Sequence, residues 1–179
     1  MIRGTDITVR QATPSDAALL AELAATAFSD SFAADNSAED MALYMDKAFG
    51  EDIQRAELSD PRRVVYLAEK DREVVGYTML HEGPVPESIG DDDALEIARF
   101  YAVKHMIGTG VGATLMQRCV DDATALGKQT LWLAVWSRNT RAIAFYQRWG
   151  FVEVGSQTFM LGRDRQADLV MARRTPSGQ

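Results

Sequence analysis

The residues most informative about chemistry are three closely spaced glycines, Gly108, Gly110 and Gly112, between a β-prone run and an amphipathic run. Glycine lets a backbone approach a ligand closely, and a helix that starts at such a loop presents unpaired N–H groups and the positive end of its dipole. A phosphate suits this arrangement, although glycines here can also serve the turn alone. The spacing therefore favours a phosphate-containing ligand without identifying it.

Two common nucleotide-binding motifs do not match this loop. A Walker A loop has Lys and then Ser or Thr after its last glycine, whereas Ala113 and Thr114 follow Gly112. A dinucleotide fingerprint requires an acidic residue at the end of the next strand, and that strand ends Val135-Trp136-Ser137. The pyrophosphate of coenzyme A remains as a candidate and needs support from elsewhere in the chain.

Motifs on both sides of the loop supply that support. Residues 139–151 have the pattern Asn-x-x-Ala-x-x-Phe-Tyr-x-x-x-Gly-Phe, and residues 95–102 have the pattern Leu-Glu-x-x-Arg-Phe-Tyr-Ala. With the glycine loop between them, this succession closely resembles the GNAT superfamily of N-acetyltransferases, and the resemblance covers the whole chain.

The resemblance implies a fold and an activity. The fold would be α/β (α+β): a mixed, largely antiparallel sheet of about seven strands, flanked by about four helices, with strands 4 and 5 splayed apart to admit the pantetheine arm of acetyl-coenzyme A. The stretches 28–44, 132–136 and 158–168 further resemble the polyamine-acetylating, PaiA-like branch. The implied reaction transfers an acetyl group from acetyl-coenzyme A to a primary amine, for example of spermidine. Acetylation of a protein, a peptide or an antibiotic, and non-catalytic sensing of acyl-coenzyme A, are the alternatives.

The resemblance also assigns the residues that would bind acetyl-coenzyme A. Strand 4 would face the acetyl and pantetheine end, the glycine loop would hold the pyrophosphate, and Asn139 would contact the pantetheine while it also caps its helix. The family usually has Gln or Arg where Ile107 stands and Val where Ala102 stands, so a polar side-chain contact at 107 is in doubt. The expected coenzyme residues are Phe100, Tyr101, Ala102, Ile107, Gly108, Thr109, Gly110, Val111, Gly112, Asn139 and Phe145.

Two residues are candidates for proton transfer. An aliphatic amine is mostly protonated at neutral pH, so a base must remove its proton. Glu96 is the candidate, directly or through a water, because some GNAT enzymes carry a glutamate on this strand. Tyr146 would lie beside the thioester sulfur, where a phenol with a pKa near ~10 holds a proton for the leaving thiolate. The structural alternatives are that Glu96 pairs with a neighbouring cation and that Tyr146 packs in the core.

Aromatic and acidic side chains are candidates for the acceptor site. Aromatic rings attract cations, although aromatics at helical spacing are also common in cores. The aromatic candidates are Phe28, Phe32, Tyr44 and Trp136, to which Asp35 adds a carboxylate. The acidic run 91–93 would attract a polyamine or simply be solvated.

Composition limits the partners and the location. The 179 residues carry a net charge of −7, which argues against a nucleic-acid partner. By its apolar pattern we expect no stretch long enough to cross a bilayer and no signal peptide, and therefore no membrane partner and a cytoplasmic location. Cys119 is the only cysteine, which excludes an internal disulfide and fits a reducing compartment. His81 and His105 lack partners at metal-ligand spacing, so no metal is expected. Edge strands and apolar helix faces would allow a homodimer.

Hydrophobic patterns predict the elements that position these residues. Strands are predicted at 6–10, 63–69, 73–81, 94–103, 130–136, 151–155, 158–161 and 167–172. Helices are predicted at 13–28, 37–50, 53–58, from the glycine loop to Gly127, and at 139–149. Thr13 and Ser37 have the residue types of N-caps. We expect one domain over residues 1–173 and a flexible tail over 174–179.

Overall fold

A single seven-stranded sheet organises the computed structural model, which describes residues 6–177. The strand order is β1-β2-β3-β4-β5-β7-β6, and all neighbours are antiparallel except β4 and β5, which are parallel. The strands are β1 Thr8–Gln11, β2 Arg63–Lys70, β3 Glu73–His81, β4 Leu95–Ala102, β5 Thr130–Trp136, β6 Val152–Leu161 and β7 Asp164–Arg174. The mixed, largely antiparallel sheet predicted from the sequence is confirmed.

Five α-helices in the described part of the chain cover the two faces of the sheet, as the hydrophobic patterns predicted, whereas the family resemblance implied about four. They are α1 Ala17–Phe32, α2 Ala38–Ala48, α3 Glu51–Ser59, α4 Val111–Ala125 and α5 Thr140–Arg148. Side chains alternate between the faces, so that Tyr66 packs in the core beneath α4 while Leu67 packs beneath α1. The sheet therefore separates a core with α4 and α5 from a core with α1 and α2.

Local hydrogen bonds explain where the first helices begin. The backbone N–H of Thr13 donates to the Asp16 carboxylate at 2.8 Å, and a short 3₁₀ turn at Pro14–Asp16 leads into α1. The Ser37 hydroxyl accepts from the backbone N–H of Asp40 at 3.1 Å and caps α2. Both caps satisfy N–H groups that have no partner within the helix, as predicted.

The predicted break in the strand after residue 155 is wrong. β6 runs without interruption over Val152–Leu161, with a bulge between Glu153 and Gly155. A Cβ atom at Gly155 would lie 2.6 Å from the Ser88 hydroxyl oxygen. The glycine therefore permits close packing against the 3₁₀ turn at Glu87–Ile89 and does not end the strand.

One strand boundary and one expectation about apolar stretches differ from the sequence analysis. β7 extends to Arg174, and the backbone N–H of Thr175 donates to the Gln129 carbonyl at 3.0 Å. By length and composition alone, the helical stretch Pro14–Asp35 is apolar enough to cross a membrane, which corrects the expectation that no such stretch exists. In this fold one face of α1 is buried in the core beneath the sheet, as in a core helix of a globular domain.

Candidate active site

The parallel strands β4 and β5 separate soon after they meet. They pair only at Leu95 with Leu131 and at Glu96 with Trp132, although β4 continues to Ala102 and β5 to Trp136. Beyond Glu96, β4 is paired with β3 on one side only. The predicted splay is therefore present, and it leaves backbone N–H and C=O groups of β4 without a strand partner.

The gap between these strands opens into a cavity of about 730 Å³, hereafter the central cavity. Its walls include residues from the α4/α5 core, such as Phe145, and from the α1/α2 core, such as Phe28. The cavity therefore connects the two faces of the sheet, so that two substrates can enter from opposite sides and meet at the gap.

Most of the residues predicted for the site line the central cavity. They are Phe28, Phe32, Tyr44, Glu96, Phe100, Tyr101, Ala102, Ile107, Gly108, Gly110, Gly112, Trp136, Asn139, Phe145 and Tyr146. Thr109 and Val111 do not line it. The Thr109 hydroxyl donates to the Met106 carbonyl at 2.6 Å, and the side chain of Val111, the first residue of α4, is fully buried in the core. Asp35 is exposed and lies outside the walls of the cavity.

The glycine loop turns directly into α4. Gly108 and Gly110 have φ angles of +83° and +102°, a region that residues with a Cβ atom rarely adopt. Gly110 is the N-cap, so the first N–H groups of the 15-residue α4 have no partner within the helix. A Cβ atom at Gly112 would lie 3.3 Å from the Phe145 ring. This geometry presents backbone donors and the positive end of a helix to an anion at one end of the cavity.

Tyr146 lies at the junction of α5 with the gap. Its ring is only 7% exposed and packs against Phe100, Phe145 and Phe151, with centroid distances of 6.0, 5.6 and 5.9 Å. Burial raises the pKa of the Tyr146 phenol above its ordinary value, and no hydrogen bond contributes. The phenol therefore keeps its proton at neutral pH. Asn139 caps the same helix by accepting from the Ala142 N–H at 3.3 Å.

Glu96 occupies the other side of the gap and pairs with His81. The Glu96 Oε2 atom lies 3.2 Å from His81 Nδ1. The sequence alone had left open which neighbouring side chain would pair with Glu96. Burial raises the pKa of the Glu96 carboxyl, and the hydrogen bond with His81 opposes that rise. The His81 Nε2 atom is buried and has no hydrogen-bond partner within residues 6–177. A half-buried carboxylate of raised pKa that faces a cavity is suited to accept a proton.

The α1/α2 side of the cavity carries a continuous set of aromatic rings, hereafter the aromatic wall: Phe28, Phe32, Tyr44, Trp136 and Phe159. The Phe28 ring lies 4.7 Å from both Phe32 and Tyr44, measured between centroids. Phe32 reaches Trp136 at 5.9 Å, and Tyr44 reaches Phe159 at 5.2 Å. The four aromatics predicted for the acceptor thus lie together, with Phe159 as a fifth.

Sequence reasoning missed several charged residues of the central cavity. Arg141 and Arg148 line it from α5, and Arg99 lines it from β4. Arg99 binds both oxygens of the Glu57 carboxylate at 2.8 and 2.9 Å. Asp168 also lines the cavity, from β7, where it lies on the same face of the strand as the buried Val170. An acidic residue at an inward-facing strand position was the signal available in the sequence.

The remaining titratable candidates lie elsewhere. Of the acidic run 91–93, Asp93 pairs with Lys128. Cys119 is buried in the core beneath α4, and burial raises the pKa of its thiol to about 12. Within residues 6–177, no group of three or more His, Cys, Asp or Glu side chains is placed to hold a metal ion.

Known proteins resemble this chain in sequence or in fold. The profile of the acetyltransferase (GNAT) family matches residues 21–151. An uncharacterised N-acetyltransferase of Lactobacillus delbrueckii subsp. lactis is 31% identical over 169 residues, which cover 94% of this chain and 98% of that protein. Another, from Mycobacterium tuberculosis, is 38% identical over 116 residues, or 65% of this chain and 70% of that protein. The same fold is found in the PaiA N-acetyltransferase of Thermoplasma acidophilum, whose crystal structure is a complex with coenzyme A. The TM-score is 0.77 and the identity is 18%, and the match covers 94% of this chain and 99% of that chain. By its sequence match and its fold, this chain belongs to the GNAT family of acetyltransferases and is an acetyl-coenzyme A-dependent N-acetyltransferase.

Proposed function

We propose that the enzyme acetylates a primary amine of a small cationic molecule, a polyamine such as spermidine, with Tyr146 as the general acid. The observation that carries the proposal is that the two sides of the central cavity differ in charge and chemistry. The glycine loop and the arginines of α5 line it on one side, and the aromatic wall lines it on the other together with carboxylates. The likeness to a PaiA structure, although it is distant, is consistent with this acceptor class.

The glycine loop and α5 form the proposed binding site for acetyl-coenzyme A. The N–H groups at the start of α4 would donate to the pyrophosphate, and Arg141 and Arg148 add positive charge nearby. The unpaired backbone edge of β4 would hydrogen-bond the pantetheine arm, beside Asn139. Acetyl-coenzyme A supplies the activated acetyl group as a thioester.

Glu96 is the proposed base. The acceptor enters as an ammonium ion and must lose a proton before its nitrogen can attack the thioester carbonyl. Glu96 would take that proton, directly or through a water, because its burial makes the carboxyl more basic than an exposed one. The hydrogen bond with His81 fixes the carboxylate towards the gap.

Tyr146 is the proposed acid. When the new C–N bond forms and the C–S bond breaks, the sulfur leaves with the electron pair and needs a proton. A thiol with an ordinary pKa near ~8.5 is mostly protonated at neutral pH, so a positioned acid can deliver that proton as the C–S bond breaks. The Tyr146 phenol is protonated at neutral pH and lies at the gap, so it is placed to donate.

The test measures release of coenzyme A thiol from acetyl-coenzyme A with spermidine, spermine and other amines, for the wild type and Tyr146→Phe. We expect turnover with polyamines, a kcat about 100-fold lower in Tyr146→Phe, and unchanged coenzyme A binding. Tyr77→Phe is the matched control, because the Tyr77 hydroxyl is buried, has no hydrogen-bond partner within residues 6–177 and lies outside the cavity.

Two results would contradict the proposal. Full activity in Tyr146→Phe would exclude the phenol as the acid. Tight coenzyme A binding without turnover of any small amine would exclude the acceptor class. Turnover of lysine-containing or N-terminal peptides in that case would identify a protein or peptide acceptor, and its absence would favour an acyl-coenzyme A sensor.

A further inference from the structure

Asp168 is a buried carboxylate that the catalytic steps above do not use. It lies on β7 opposite Trp136 of β5 and Gln157 of β6, and the residue is only 7% exposed. Its carboxylate contributes to the wall of the central cavity. Burial raises its pKa from 3.8 to about 6, and no hydrogen bond or nearby cation among residues 6–177 offsets that rise. A buried charge without a partner is costly, so its presence at a cavity points to a ligand that supplies the missing charge.

The cations of the cavity do not fill this role. Arg99 lies on β4, which β5 separates from β7, and both of its hydrogen bonds go to Glu57. Arg141 and Arg148 are exposed on α5, the helix that packs on the opposite face of the sheet. Asp168 shares its face with Val170 and Ala172, which pack with Trp132 away from α4 and α5. The carboxylate therefore belongs to the acceptor side of the cavity.

The aromatic wall adjoins Asp168. Trp136 is its direct neighbour across the β5–β7 pair, and Phe32 lies edge-on to Trp136. Burial raises the pKa of the nearby Tyr44 phenol; the Arg99 charge opposes that rise, and the charges of Glu57 and Asp168 add smaller increases. A carboxylate bordered by ring faces is an arrangement that binds ammonium groups, through a charge-assisted hydrogen bond and cation–π attraction.

Asp168 is too far from Glu96 for both to bind one nitrogen. In register, Glu96 lies beside Trp132 and Asp168 beside Trp136, four residues along β5. At ~3.3 Å per residue, that separation is roughly 13 Å along the strand alone. One ammonium group makes hydrogen bonds of about 3 Å and cannot contact both carboxylates.

We propose that Asp168 and the aromatic wall bind a second positive charge of the acceptor, so that the enzyme selects amines with two or more ammonium groups over monoamines. The inference rests on the proposed function and adds the residue that sets its specificity. The acceptor would extend from the gap between β4 and β5, where its reacting nitrogen lies, to Asp168, where its distal ammonium is held.

The test compares octamethylenediamine with octylamine, two acceptors of equal chain length that differ by one ammonium group, and includes spermidine. In Asp168→Asn we expect KM for the diamine and for spermidine to rise about tenfold or more, because a charge-assisted hydrogen bond is lost. We expect kcat/KM for octylamine to change less than about twofold, which also shows that the variant is folded and catalytically intact. Asp46→Asn removes the same charge from an exposed site on α2 and is the matched control.

An equal loss for both acceptors would overturn the inference. A fall in kcat for both, with loss of the acidic limb of the pH–rate profile, would instead make Asp168 a base. If the wild type turns over no amine, the proposed function fails, and the inference is then tested by binding. With coenzyme A bound, spermidine should raise the thermal unfolding midpoint of the wild type and not that of Asp168→Asn, and a shift in both or in neither would refute it.

Discussion

Replacing Asp168 with Asn should stabilise the ligand-free enzyme, because it removes a buried charge that has no hydrogen-bond partner among the described residues. Burial raises the pKa of the Asp168 carboxyl from 3.8 to about 6. One pKa unit corresponds to about 1.4 kcal/mol, so the ionised carboxylate lowers the free energy of unfolding by at most about 3 kcal/mol. The carboxylate faces an open cavity, and solvent screening there reduces the expected effect to about 1 kcal/mol.

The sign of the pH dependence follows from the direction of this shift. Below about pH 4 the carboxyl is protonated in both the folded and the unfolded chain, so it contributes nothing. As the pH rises towards 6, the unfolded chain ionises first, and the folded wild type loses stability relative to it. The stability advantage of Asp168→Asn should therefore grow between about pH 4 and pH 6 and stay constant above that range.

Urea unfolding at a series of pH values, followed by circular dichroism, measures this difference. Asp46→Asn, at an exposed position, should stay within about 0.5 kcal/mol of the wild type throughout. Saturating spermidine should reduce the difference in free energy of unfolding between wild type and Asp168→Asn, because the ligand stabilises only the ionised carboxylate. A variant that is less stable than the wild type at pH 8, or a difference that does not change with pH, would refute the reasoning.

Three further predictions concern the loop, the base and the core. Gly110→Ala should weaken coenzyme A binding, measured by calorimetry, about tenfold, because its φ of +102° strains a residue with a Cβ atom. Gly127→Ala is the control: Gly127 has a φ of +71° beyond the other end of α4, so the variant carries similar strain and should leave the affinity unchanged. Glu96→Gln should lower kcat/KM about 100-fold and remove the acidic limb of the pH profile of kcat/KM. In the wild type this limb should lie above the ordinary carboxyl pKa, because burial raises the pKa of Glu96. An unchanged limb in the variant would exclude Glu96 as the base. Gln54→Ala should lower the free energy of unfolding in urea by about 2 kcal/mol, because the fully buried Gln54 amide accepts from the Gly50 N–H and donates to the Ala48 carbonyl where α2 meets α3. Gln117→Ala, on the surface, is the control and should have little effect.

The sequence by itself determined most of the local structure. β3 and β5 have the bounds that their apolar patterns predicted, and Ser37 caps its helix as its residue type indicated. The order of the strand, the glycine loop and the Asn-capped helix also identified the family. These features depend on neighbouring residues: side-chain periodicity, capping groups and glycine conformations are encoded within a few positions of one another.

Only the tertiary structure decided which distant residues meet. The pairing of Glu96 with His81 depends on the register of β3 against β4, and the Asp168 carboxylate meets the aromatic wall because β7 returns beside β5. The bulge in β6 and the continuation of that strand past Gly155 were likewise invisible in the sequence. Strand register and packing join residues far apart in the chain, and no local pattern specifies those contacts. The sequence therefore indicated the coenzyme and the reaction, whereas the position of Asp168 beside the aromatic wall, on which the proposed acceptor site rests, emerged only when the strands were in place.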